Sequence, residues 1–146
     1  MSRSSGHRFF EAIHGVYFDD LDAFGILHNA RYLLYFERTI GAFWRLLGWG
    51  GSLQSENPDQ YQLVRANHIE YLRPVSKMGE VRVRVWVEKL GHTSLTFGCV
   101  VMPMDQDVDC ATGERVVVKI DPKTRRPTEW SDGFRALIAP YIRTEG

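Results

Sequence analysis

The sequence predicts an α+β fold in which an antiparallel sheet of about five strands wraps around one long central helix. Three observations lead there. Leu33, Phe36, Ile40, Phe43, Trp44 and Leu47 recur at spacings of three and four, the period of a helix with one apolar face. Val81, Val83, Val85 and Val87 alternate with Arg82, Arg84, Trp86 and Glu88, the period of a strand with two unlike faces. The strand candidates after the helix are joined by short connections, which suit antiparallel neighbours rather than crossovers.

Taken in order, His7 to Phe18 reads as a first strand, rich in aromatic and β-branched residues. An Asp-, Gly- and Asn-containing loop leads to the helix, expected from about Ala30 to Leu47 and stopped by Gly48, Gly50 and Gly51. After an irregular stretch come Tyr61 to Leu72, closed by Arg73-Pro74, and then Glu80 to Lys89. Gly91-His92 connects to Thr93–Met102, with Leu95, Phe97, Cys99 and Val101 on one face. Ala111-Thr112-Gly113 is expected to turn the chain into Glu114 to Ile120, and a short helix from about Ser131 to Ala139 closes the fold. The last four strands are thus expected in hairpin succession. Trp86, Val100, Met102 and Val117 fall on the sheet face away from the helix and are too apolar for exposure, so a homo-oligomer, dimer or tetramer, is expected to cover them.

A chain of 146 residues, 44% hydrophobic and 25% charged, has the balance of one globular domain over residues 1–146. Lys plus Arg (18) equals Asp plus Glu (18), which argues against nucleic acid as the main partner. Cys99 and Cys110 lack metal-ligand or redox spacing, so no metal or cofactor is expected and both thiols are read as reduced. No leader-like or membrane-spanning run is present, and a cytoplasmic protein without a membrane partner is expected.

The segment with chemical content is Asp20-Leu21-Asp22-Ala23-Phe24-Gly25-Ile26-Leu27-His28-Asn29-Ala30-Arg31-Tyr32. It sets two carboxylates just before a helix N-terminus, where unpaired amides and the positive dipole end lie. The same amides can hold an oxyanion formed from a carbonyl, and Gly25 lets the backbone approach a ligand. An acidic residue there is also a common helix cap, as Asn29 is, and spacing alone does not choose between these readings.

The string D-L-D-A-F-G-I-L-H-N-A-R-Y-L-L-Y-F-E-R resembles the signature of the 4-hydroxybenzoyl-CoA thioesterase family of hotdog proteins. The later I-E-Y-L-R-P-V, Ile69 to Val75, resembles that family's second strand, and the likeness spans about Phe10 to Ile120. The resemblance implies an acyl-CoA thioesterase with Asp22, the second Asp of D-x-D, as general base or nucleophile. An oxyanion-holding amide falls near Asn29, and Gly25, His28 and Asn29 are implied as substrate contacts. Coenzyme A enters as part of the substrate, not as a cofactor. Many relatives carry His where this chain has Asn29, while other branches share the Asn. The turn Lys89-Leu90-Gly91-His92-Thr93 is only weakly basic, which leaves Arg125, Arg126 or Lys77 as candidate phosphate contacts. A carrier-protein thioester as substrate and a non-catalytic acyl-CoA-binding module stay open as alternatives.

Other residues have plainer readings. Glu37 suits an ion pair or a dimer contact, and Tyr32, Tyr35 and Phe36 suit core positions or an acyl pocket. His68, Arg82 and Arg84 suit the sheet surface or an interface. Glu56-Asn57-Pro58-Asp59 lacks the residues that a hydratase motif needs before and after it.

Overall fold

The computed structural model describes residues 8–48 and 57–143. Five strands and two helices run in the order β1 (Phe10–Val16), α1 (Asn29–Leu46), β2 (Gln62–Tyr71), β3 (Gly79–Leu90), β4 (Ser94–Pro103), β5 (Ala111–Lys119) and α2 (Asp132–Ile138). Single 3-10 turns lie at Phe18–Asp20, Pro58–Gln60 and Ala139–Tyr141. The expected strand start at His7 and the helix stops at Gly50 and Gly51 lie outside the described residues. Among those described, no helix is long and apolar enough to cross a membrane.

All five strands form one antiparallel sheet in the order β1-β3-β4-β5-β2. Only β3, β4 and β5 are joined as successive hairpins. The expected hairpin from β2 to β3 is corrected: β2 pairs with β5 at the far edge, and residues 72–78 carry the chain across to β3. Alternation within a strand gives its faces but not its neighbour, and that choice is made by long-range packing. The turn expected at Ala111-Thr112-Gly113 also moves. These residues already pair with Val101, Val100 and Cys99, and the polar run before them makes the turn. Gly113 is a strand glycine because Phe36 of α1 packs onto it. A Cβ there would lie 2.8 Å from the Phe36 ring and 2.9 Å from the His68 carbonyl oxygen.

The helix lies on one sheet face. Its buried residues are Tyr32, Tyr35, Phe36, Thr39, Ile40 and Phe43, a stripe rotated slightly from the expected one, with Leu33 only half-buried. They pack on Val81, Val83, Val85 and Val87 of β3 and on Leu95, Phe97, Cys99 and Val101 of β4. Trp130, Phe134 and Ile138 extend this core under α2. Each fully buried residue of this size contributes on the order of 1.5–3 kcal/mol, enough to hold an 18-residue helix that water alone would leave marginal.

The outer sheet face departs from expectation in two ways. Val117 points toward α1, because it pairs with Leu95 and shares that residue's face. Trp86, Val100 and Met102 are buried within the protomer, with Phe9 packed against them. Arg84 lies 4.2 Å from the Phe9 ring centroid and donates to Glu11, and Arg82 donates to the Pro103 carbonyl and to Asp107. These residues therefore need no second copy to cover them. Gly98 makes that packing possible, since a Cβ there would lie 2.4 Å from the Trp86 ring. Gly98→Ala should lower stability by about 1–3 kcal/mol through overpacking. Thermal unfolding checks this, and an unchanged melting temperature would contradict it.

Candidate active site in the loop before the long helix

The 3-10 turn at Phe18–Asp20 fixes Asp20 first. Its Oδ2 accepts the Tyr17 amide at 2.7 Å, and its Oδ1 lies 3.0 Å from Arg31 Nε. The Asp20 carbonyl accepts the His28 amide, and Arg31 donates to the Asp19 carbonyl. Asp20 is thus a brace between the first strand and the helix, with both oxygens engaged.

Asp22 is held differently. Its amide donates to the Ile26 carbonyl, and its carbonyl accepts the Gly25 amide, closing a five-residue loop. Its Oδ1 accepts the Phe24 and Ile26 amides at 2.8 and 3.2 Å. Its Oδ2 accepts no hydrogen bond from a described residue, and the side chain lines a cavity of about 440 Å³. Two amides orient one oxygen and leave the other free, which is what a carboxylate acting on a ligand requires. Gly25 has φ +73°, so its role is the left-handed turn that closes this loop. It is not among the cavity-lining residues.

The helix cap falls on His28 rather than on Asn29. His28 Nδ1 accepts the Ala30 amide at 3.1 Å, and the His28 carbonyl accepts the Arg31 amide. Asn29 is the first helical residue, and its own amide makes no hydrogen bond with a described residue. One donor at the positive end of α1 is therefore free beside the cavity that Asp22, His28 and Asn29 all line.

The far wall of the cavity is Tyr71, Leu72, Arg73 and Pro74, with Tyr32 from the helix. Tyr71 donates its hydroxyl to the Asn29 carbonyl at 3.2 Å and packs edge-on against Tyr32 at 5.0 Å. This contact ties the first turn of α1 to the edge of the sheet. Burial, with the nearby Cys110 and Tyr71, pushes the Tyr32 phenol up to about 12, so it stays a neutral group near neutral pH. In the sequence this strand end is visible only as a motif. The Arg-Pro that ends β2 is the signal that the chain leaves the sheet here, and the Leu27 amide donates to the Val75 carbonyl just beyond it.

Lys77 is exposed three residues beyond Pro74 of the cavity wall, and the other candidates fall elsewhere. Arg125 and Arg126 follow the opposite end of β5 from Ala111, which pairs with Tyr71. At about 3.4 Å per residue, that is roughly 27 Å from the cavity wall within one protomer. Glu37 pairs with Arg115 at 3.0 Å, while His68 is exposed and 3.8 Å from Glu70. Asp59 is buried in an ion pair with Lys119, a structural use of the segment whose hydratase reading fails. His14 is also structural. Thr39 donates its hydroxyl to the Tyr35 carbonyl, so His14 Nε2 must donate to Thr39 Oγ1 at 2.7 Å. Burial and the charge of Arg38 lower the His14 pKa and keep the ring neutral. Among the described residues, no three His, Cys, Asp or Glu side chains group to hold a metal ion.

Residues 16–138 match the family model described as the thioesterase-like superfamily. The chain therefore belongs to that superfamily, in agreement with the hotdog-type thioesterase signature in its sequence. It is 27% identical to the uncharacterized protein YsmA of Bacillus subtilis over 117 residues, which is 80% of this chain and 76% of that one. Its fold is similar to that of a predicted thioesterase from Bacillus stearothermophilus, with a TM-score of 0.83, 21% identity and coverage of 95% and 100% of the two chains. It is also similar to a thioesterase from Thermus thermophilus complexed with coenzyme A and Zn. There the TM-score is 0.74, identity is 26%, and coverage is 92% and 94%.

Proposed function

We propose that this protein hydrolyses acyl-CoA thioesters, with Asp22 as the catalytic carboxylate and the Asn29 amide as the oxyanion donor. The observation that carries this reading is the free Asp22 Oδ2 sharing one cavity with a free helix N-terminal amide. The coenzyme A bound to the Thermus relative supports the leaving group.

A thioester carbonyl seated in the cavity would place its oxygen toward the Asn29 amide, where developing negative charge is stabilised. Asp22 Oδ2 either attacks the carbonyl carbon, giving a mixed anhydride that water then opens, or removes a proton from an attacking water. In both routes the carbon–sulfur bond breaks and coenzyme A leaves as a thiolate. A thiol pKa of roughly 8.5 makes it a good leaving group without a strong acid. The product is a free carboxylic acid, and coenzyme A is substrate rather than cofactor. His28 shapes the site by capping α1, which keeps the Asn29 amide at the helix tip.

A homo-oligomer would use a different surface from the outer sheet face. The ten-residue strand β2 is a sheet edge with Leu63 and Val64 exposed, and pairing it with a second copy would satisfy its open side. The reaction is tested by incubating the protein with short, branched, long and aromatic acyl-CoAs and following free thiol. Turnover of at least one class is expected. Saturable binding of every ester without thiol release would instead identify a binding module, and release only from carrier-protein thioesters would reassign the leaving group.

A further inference from the structure

We propose that His28 supplies a second hydrogen bond to the thioester oxygen, from its Nε2–H, beside the Asn29 amide. This inference rests on the acyl-CoA hydrolase reading above and adds a side chain to its chemistry. The His28 ring lines the cavity that Asp22 and Asn29 also line.

The helix cap determines the state of the ring. His28 Nδ1 accepts the Ala30 amide at 3.1 Å, so Nδ1 carries a lone pair and no proton. A protonated imidazole has a donor on each nitrogen and could not make this bond. The capping ring is therefore neutral, with its proton on Nε2. Nε2 makes no hydrogen bond with a described residue, which leaves its N–H for a group in the cavity. The backbone on both sides is fixed as well. The His28 amide donates to the Asp20 carbonyl at 2.8 Å, and the His28 carbonyl accepts the Arg31 amide at 2.9 Å.

That state narrows what the ring can do. Nε2 has no lone pair with which to take a proton from water, so His28 is not the base. The N–H of a neutral imidazole is too weak an acid to protonate a leaving thiolate, so His28 is not the acid either. What remains is a fixed donor beside an oxygen that gains negative charge as the carbonyl carbon becomes tetrahedral. Nε2–H and the Asn29 amide then form a two-donor oxyanion site from consecutive residues, with Asp22 Oδ2 facing the same cavity.

Two substitutions separate this role from the cap. Asn reproduces the position of Nδ1 and caps well, but its side chain ends short of Nε2. Gln places an N–H where Nε2 lies and is a poor cap. His28→Asn should keep the melting temperature and lower kcat for the best acyl-CoA by about 10- to 100-fold, the worth of a hydrogen bond to a charged group. His28→Gln should melt lower yet retain more of kcat than His28→Asn, whereas a purely structural cap predicts the reverse order. Neither variant should change the affinity for the matching coenzyme A thioether, which has no carbonyl oxygen. A normal kcat in His28→Asn, or a lower kcat in His28→Gln than in His28→Asn, would overturn the second donor and leave the thioesterase reading standing. No thiol release from any acyl-CoA by the unaltered protein would remove both.

Discussion

Asp22→Asn should lower thioester turnover by about 10²- to 10⁴-fold, the usual worth of a positioned acid–base group, while leaving thermal stability nearly unchanged. The substitution is chosen for the loop it preserves. An amide oxygen at Oδ1 still accepts the Phe24 and Ile26 amides, so the five-residue turn keeps both hydrogen bonds. What disappears is the second oxygen, replaced by an NH₂ that neither attacks a carbonyl nor takes a proton from water. Asp22→Ala removes the acceptor as well and should also cost about 1 kcal/mol of stability. Asp20→Asn is the contrasting case. It weakens the pair with Arg31 and should affect stability more than chemistry, because Asp20 offers no free oxygen. Initial rates of thiol release beside melting curves separate the three variants. An Asp22→Asn protein turning over its best acyl-CoA at the normal rate would remove Asp22 from the mechanism.

The features legible in the sequence were those set by local pattern. The helix was readable because its apolar period is written in consecutive residues, and its observed span, Asn29–Leu46, lies one residue from expectation at each end. The loop was readable because D-L-D-A-F-G places Asp22 three residues before a glycine whose left-handed φ the turn uses. The position of β2 was not readable, since β2 could pair with β3 or cross to β5 with the same alternation. Val117 followed from that limit, because its face depends on the register between β4 and β5. The cavity wall at Tyr71–Pro74 and the Arg115–Glu37 pair are likewise products of distant segments meeting. His28 shows a subtler limit. Any of several polar residues could have capped α1, and backbone geometry gave the cap to the histidine and left the Asn29 amide free.

The largest stability effect should come from the buried pair that fastens α2 to the sheet. Lys119 Nζ, at the end of β5, donates to Asp59 Oδ1 at 3.0 Å and to the Glu129 carbonyl at 2.8 Å. Asp59 also accepts the Ser131 amide on Oδ1 and the Ser131 hydroxyl on Oδ2, and Ser131 caps α2 through the Phe134 amide. Both residues are nearly inaccessible, Asp59 at 3% and Lys119 at 6% exposure. Removing one partner leaves the other charge buried alone, so Asp59→Ala or Lys119→Met should each cost about 3–5 kcal/mol. Replacing both with apolar residues should cost much less than the sum of the two, since no orphaned charge remains. Acid should act on the same group. Burial raises the Asp59 pKa, but the Ser131 hydrogen bonds and Lys119 outweigh it and hold the carboxyl below its usual 3.8. A carboxyl depressed in the folded state stabilises the protein above its unfolded pKa, and that contribution fades as pH falls from about 3.8 through the lower folded value. Denaturant unfolding at pH 7 and at pH 3 checks both claims. The loss of stability on acidification should be smaller in Asp59→Ala than in the unaltered protein, and an equal loss in both would show that Asp59 does not carry the acid sensitivity assigned to it.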